Sequence, residues 1–185
     1  PDFSGSMRAI AGQPYAPDGT PISPATGSEE QPGSVLFTEH WEPGEYVTPF
    51  VEAPPEDVVA MRSYLNSYLA GPDGAERPGY TAGDYLGAAT VLLQTWTLSD
   101  AAHRAVLQVI LDAPGVKVVG GTTDRAGRHG IVLSVNTTES NPRYRVQAIV
   151  DVERWRILAV ESTTVEAISE FNIPAGSVTD YTLWR

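Results

Sequence analysis

Residues 98–135, LSDAAHRAVLQVILDAPGVKVVGGTTDRAGRHGIVLSV, with residues 143–163, RYRVQAIVDVERWRILAVEST, decide the fold. Ser99 is placed to cap a helix, and Asp100 in its first turn complements the positive end of the helix dipole. Ala102, Val106, Val109 and Ile110 recur at helical spacing and give that helix one apolar face. Pro114 and Gly115 end it. Val116 and Val118 then begin a strand that runs through Gly120 to Thr122. The paired glycines Gly120 and Gly121 lack a phosphate-loop pattern and read as a β-bulge. Asp124 to Gly130, DRAGRHG, is a hairpin turn in which Asp124 bonds the turn backbone and Gly127 or Gly130 takes positive φ. Ile131, Leu133 and Val135 alternate with Val132 and Ser134 on the return strand. Ser140 to Pro142 turns the chain again. Tyr144, Val146, Ala148 and Val150 then face one way, with Arg145 and Gln147 the other. Asp151 to Arg156 makes the next turn, into Leu158 and Val160.

Working outward, residues 55–70 read as a helix with Pro55 in its first turn and Val58, Met61, Leu65 and Tyr68 or Leu69 on one face. Residues 82–96 read as a second helix, capped by Thr81, that buries Tyr85, Ala89, Leu92, Leu93 and Trp96. Residues 164–172 read as a loop or short helix, residues 172–176 (NIPAG) as a turn, and residues 177–183 as a last strand. About three helices followed by an antiparallel meander of four to six strands make an α+β fold with the helices on one sheet face. The domain reading is a single α+β domain over residues 54–185, preceded by an arm over residues 1–53.

The arm differs in composition. Residues 1–55 hold 10 of the 15 prolines, and residues 1–53 carry eight acidic residues against Arg8 alone. It is expected to be irregular, with short strands at Val35 to Trp41 and from Glu45 to Val51. Its first 33 residues offer little apolar surface to offset chain entropy, so they are expected to contribute little to folding.

The whole chain has 23 acidic and 12 basic residues, a net charge of −11. No basic patch is available to neutralise phosphates, which argues against nucleic acid and anionic membrane surfaces as partners. With no cysteine, disulfides and thiolate metal sites are excluded. No apolar run is long enough to span a bilayer, and no signal peptide is visible; an anchor upstream of Pro1 fits the abrupt start.

No catalytic motif is present, and no cofactor or metal is implied. His40, His103 and His129 fall on the arm, a helix and a turn, with nothing in their spacing to make them converge. Ser99, Asp100 and His103 lie within one helical turn, whereas hydrolases draw nucleophile, base and orienting acid from different elements. Asn136 to Thr138 matches a glycosylation acceptor but reads as a polar hairpin end. Trp41, Trp96, Trp155 and Trp184 could line a ligand groove, against the plainer reading of single tryptophans on separate elements as core or edge packing. Asp124, Arg125, Arg128 and His129 form a candidate partner-contacting turn, against the plainer reading of a solvated hairpin in which Arg125 and Arg128 matter little to stability. Leu92, Leu93, Trp96, Val106, Ile110, Leu133, Val146 and Leu158 are the candidate lining of an apolar pocket between helices and sheet. Such a pocket would suit a lipid or other small apolar ligand and lacks groups for acid–base chemistry.

PPEDVVAMRSYL (residues 54–65), the segment from Arg104–Ala105 to Val116, the turn from Asp124 to Gly130, and the hairpin from Ile149 to Leu158 together resemble the actinobacterial CU044_5270 family. The order matches that family's P-x-D-x-x-x-L-x-x-Y-L, R-A-x-L-x-x-x-x-A-x-x-P-G-V, D-x-x-G-R-x-G and I-x-D-x-x-T-G-x-x-L segments, with Met61 at the Leu of the first and the Arg104 to Pro114 interval one residue shorter than in the second. The Arg-rich, Lys-poor basic set (11 Arg, one Lys) suits a GC-rich bacterial genome. Here Glu153-Arg154-Trp155-Arg156 stands where the family has Thr-Gly, so the last hairpin is expected to be rebuilt. The resemblance implies a membrane-anchored extracytoplasmic domain and carries no activity or catalytic residues. The expectation is a non-enzymatic domain that binds a ligand or protein partner at the cell envelope. The alternatives are a structural or sensory interaction module without a cavity, and a hydrolase with an unrecognised site.

Overall fold

The computed structural model describes residues 5–13, 15–16, 18–23, 31–45, 48–71, 74, 79–135 and 144–184. In chain order the elements are β1 (Gly5–Ile10), β2 (Val35–Trp41), α1 (Val58–Leu69), α2 (Ala82–Thr95), α3 (Asp100–Asp112), β3 (Val116–Thr123), β4 (His129–Val135), β5 (Tyr144–Asp151), β6 (Arg156–Thr164), a 3-10 turn (Ser169–Phe171) and β7 (Val178–Leu183). The last five strands form one antiparallel sheet in sequential order, β3-β4-β5-β6-β7. This is the α+β meander expected, with five strands. The chain divides into two compact units, residues 50–162 with 181–185, and residues 1–49 with 163–180.

The first of these holds the helices and most of the meander. Asp57, not a residue of the first turn, caps α1: its carboxylate accepts from the N–H groups of Val59 and Ala60, so the helix starts three residues later than Pro55 suggests. Thr81 and Asp84 close a capping box on α2, and Ser99 caps α3 through the N–H of Ala102. The apolar stripes of the helices meet the sheet in one core. Met61 and Leu65 come from α1, Leu86, Ala89 and Leu92 from α2, and Val106, Val109 and Ile110 from α3. They pack with Leu133 and Val135 of β4, Ala148 and Val150 of β5, and Ile157 of β6. Strand alternation puts Ile149 in a second, smaller cluster with Leu158 and Ala159. Phe50 stacks on Tyr64 (5.1 Å) and lies tilted against Tyr68 (4.8 Å), and Trp96 Nε1 donates to the Phe50 carbonyl at 2.8 Å.

The β3–β4 register slips between Val118 and Gly120, and Gly120 has φ 148°. The glycine pair is thus the bulge expected. In the next turn only Gly127 takes positive φ (81°). Gly130 has a different reason to be glycine: a Cβ there would lie 2.7 Å from Ile149 Cγ2 and 2.9 Å from the Val150 carbonyl oxygen. The β5–β6 turn is rebuilt around Asp151, whose Oδ1 accepts from the N–H groups of Glu153 and Arg154, while Trp155 takes the left-handed position (φ 56°). The turn at Ser140–Pro142 and the Asn136 acceptor lie outside the described residues.

In the second unit, the arm is more ordered than its composition suggests. β1 and β2 pair as an antiparallel hairpin from Gly5↔Trp41 to Ile10↔Val35, and Tyr15 exchanges both backbone hydrogen bonds with Val178. β1 escapes sequence reading because nearly all of the hairpin's side chains are exposed, so it carries no core-facing alternation. The stretch from Glu45 forms no second strand among its described residues. Asn172 (φ 54°) and Gly176 (φ 80°) make the NIPAG turn, closed by Thr164 Oγ1 and Ser177 Oγ donating to the Pro174 carbonyl.

Candidate functional site

Two cavities in the unit of residues 50–162 and 181–185 frame the functional reading. The first is an apolar cleft of about 330 Å³ beside α3. Leu107 and Leu111 of α3 form one wall, Val118, Ile131, Leu133 and Val150 of β3 to β5 the floor, and Val152 and Trp155 of the β5–β6 turn the far side. Among the described residues no titratable side chain lines it. Of the eight residues expected to line an apolar pocket, Leu133 alone appears in the described lining of this cleft. Leu92, Val106 and Ile110 are instead fully buried in the core, Leu93, Trp96 and Val146 pack at its margin, and Leu158 faces another cavity. The helical stripes were sufficient to identify the core, but interiors pack without voids, so residues at its centre close on each other. The space lies between Leu107 and Leu111 of α3 and the β3 side of the sheet. There Val118 is 69% exposed and its neighbour Val119 62% exposed on β3, an edge strand.

Trp155 needs explanation. A bulky side chain in the left-handed region is unfavourable by about 1–2 kcal/mol, and glycine is the usual occupant. The indole here forms the cleft wall, and the Arg104 guanidinium lies over it at 5.9 Å.

The second cavity, about 290 Å³, is polar. His103 of α3, Arg128 and His129 of the β3–β4 hairpin, and Asp151, Arg154 and Arg156 around the β5–β6 turn surround it, with Ile157, Leu158 and Trp184 completing the wall. The fold thus brings together two of the three histidines; His40 lies on β2 in the other unit. Burial of the His103 ring and the nearby Arg156 guanidinium hold its pKa below the ordinary histidine value, with Asp100 opposing them. Among the described residues, no three His, Asp or Glu side chains gather as metal ligands.

The candidate turn divides into two ion pairs. Asp124 is buried, and its carboxylate accepts from the N–H groups of Ala126 and Arg128 (both 2.9 Å) and from Arg128 Nε (2.7 Å). Arg128 also donates to the carbonyls of Trp184 and Leu158. Hence Arg128 is no solvated hairpin residue: it ties the turn to the end of the sheet. Arg125 Nε pairs with Glu161 at 3.1 Å, and the Glu161 side chain is only 11% exposed. Arg125→Ala is therefore expected to cost about 1 kcal/mol, because it strips a mostly enclosed carboxylate of its cation. Urea melts check this; an unchanged midpoint would mean that solvent already screens the pair. His129 remains exposed, with Nδ1 3.2 Å from Thr123 Oγ1.

The Ser99, Asp100 and His103 group is committed elsewhere. Ser99 Oγ donates to Glu56 Oε1 at 2.5 Å while capping α3, and Asp100 pairs with Arg156 at 2.6 Å. The Arg156 contact, more than the nearby His103 and Arg104, holds the Asp100 carboxyl below the ordinary carboxylate range. No helix among the described residues is long and apolar enough to cross a membrane. Comparisons with protein-family models, with curated proteins and with solved structures find no match to this chain.

Proposed function

We propose that the chain is a non-enzymatic binding domain whose apolar cleft takes an acyl chain or an apolar side chain of a partner. The observation that carries this reading is the cleft lining: eight apolar side chains, with Trp155 kept in a left-handed backbone position that glycine would fill at lower cost. Pockets of this size and character bind by area and shape, and the lining has no group to move a proton. The resemblance to the CU044_5270 family supports an extracytoplasmic, membrane-anchored setting for such binding.

A protein partner is the second reading, favoured by the exposed valines of β3. An edge strand offers unpaired backbone groups to an added strand, and Val118 and Val119 offer side-chain contact. The same titration decides between them. A fluorescent fatty-acid probe is expected to bind saturably at one site, and Trp155→Gly and Val118→Asp are each expected to weaken it at least about tenfold, the effect of losing roughly 1.4 kcal/mol of contact. Native mass spectrometry of protein from its own cell envelope is expected to show a retained apolar mass. No saturable probe binding and no retained mass would sink the ligand reading and leave the strand-addition reading.

A further inference from the structure

The polar cavity carries a separate inference. The chain as a whole is strongly acidic, yet three arginines and two histidines line this one space; among the described residues Asp151 is the carboxylate in the lining, and Asp124 and Asp100 pair with Arg128 and Arg156 from outside it. The three arginines differ in what they have left to offer. Arg128 is spent on Asp124 and on the Trp184 and Leu158 carbonyls, and so stands as a fixed cationic wall. Arg156 gives one terminal nitrogen to Asp100, but its Nε is buried and has no hydrogen-bond partner among the described residues. Arg154 is 78% exposed, and its nearest carboxylate, Asp151, is 3.7 Å away while accepting two backbone N–H groups. Among the described residues only Arg156 Nε is a desolvated donor without an acceptor, and it is closed off from solvent, so an acceptor that enters this cavity meets the solvent-open N–H groups of Arg154 and Arg156 instead.

We infer that this cavity is a binding site for a small oxyanion, a carboxylate or phosphate group, held by Arg156 and Arg154 with Arg128 behind it. Guanidinium groups suit both oxyanions, because their N–H donors lie in a planar fork that matches two oxygens. The charge of the ligand is limited. Each arginine already has an aspartate partner, and the net charge of −11 repels polyanions, so a mono- or dianion fits and a nucleoside triphosphate does not. Ile157, Leu158 and Trp184 give the rest of the ligand an apolar surface.

The test is an NMR titration of the full chain with inorganic phosphate and, separately, with succinate, against sodium chloride at matched ionic strength. Saturable shifts are expected for the Arg154 Nε–H and the Trp184 indole N–H, with the stronger of the two ligands showing which oxyanion the site prefers. Arg154→Gln, at an exposed side chain, is expected to fold as the parent and to weaken binding severalfold. Arg156→Lys, which keeps the charge but loses the fork, is expected to weaken it about tenfold, as for loss of a charge-assisted hydrogen bond. Shifts that do not saturate, that chloride reproduces, or that persist with unchanged affinity in Arg154→Gln and a folded Arg156→Lys would overturn the assignment.

Discussion

Arg128→Ala is expected to lower the free energy of unfolding by about 3 kcal/mol, the range found when one partner of a buried ion pair is removed. The substitution leaves the Asp124 carboxylate, whose side chain is fully enclosed, with backbone N–H groups but no counter-charge. It also leaves the Leu158 and Trp184 carbonyls without the guanidinium that bonds them. Denaturant melts at neutral pH should show a lower midpoint with an unchanged slope. A loss below about 0.5 kcal/mol, the size of an ordinary surface substitution, would show that water replaces the guanidinium at little cost. Acid dependence follows from the same contacts. Burial works to raise the Asp124 pKa, but the hydrogen bonds from Arg128 and Ala126 and the Arg128 charge outweigh it, so the folded value lies below the ordinary 3.8. The stabilisation is therefore complete above that value and is lost as pH falls through the lower, folded one.

Gly130→Ala is expected to cost about 2 kcal/mol, within the range for overpacking a filled site. The added methyl would sit 2.7 Å from Ile149 Cγ2 and 2.9 Å from the Val150 carbonyl oxygen. Neither neighbour can step aside cheaply. Ile149 is buried on the second face of the sheet, and the Val150 backbone is held in register opposite Ile131. Gly127→Ala provides the control, because it has open space but φ 81°; its cost is a left-handed backbone alone, about 1 kcal/mol. Thermal melts of the pair should rank Gly130→Ala as the more damaging. The reverse order would mean that the strands relax apart and that backbone conformation governs the hairpin.

These two positions also mark where sequence reading stopped. The DRAGRHG pattern announced a turn with an Asp bonding its backbone, and both features are present. Spacing within seven residues cannot reveal that Arg128 reaches carbonyls 30 and 56 positions away, because that depends on which strand ends lie beside the turn. The same limit applies to Gly130, where the neighbour that excludes a Cβ comes from β5. It applies to the arm as well: β2 was foreseen from Val35, Phe37 and Trp41, whereas its partner β1 carries no apolar alternation to betray it.

The sequence by itself determined the three helices, the central residues of their buried stripes, the bulge at Gly120 and the order of the meander. Each of these follows from periodicity, caps and turn residues, whose physics is local. Where the chain leaves space was decided only by the tertiary structure. The apolar residues at the centre of the helical stripes closed into core, and the cleft opened instead between Leu107 and Leu111 of α3, the edge strand β3 and Trp155. Likewise His103, Arg128, Arg154 and Arg156 come from three separate segments and meet only because α3 packs beside two hairpin ends of one sheet. Cavities arise from imperfect closure between distant surfaces, and that is a property of packing, which no local pattern encodes.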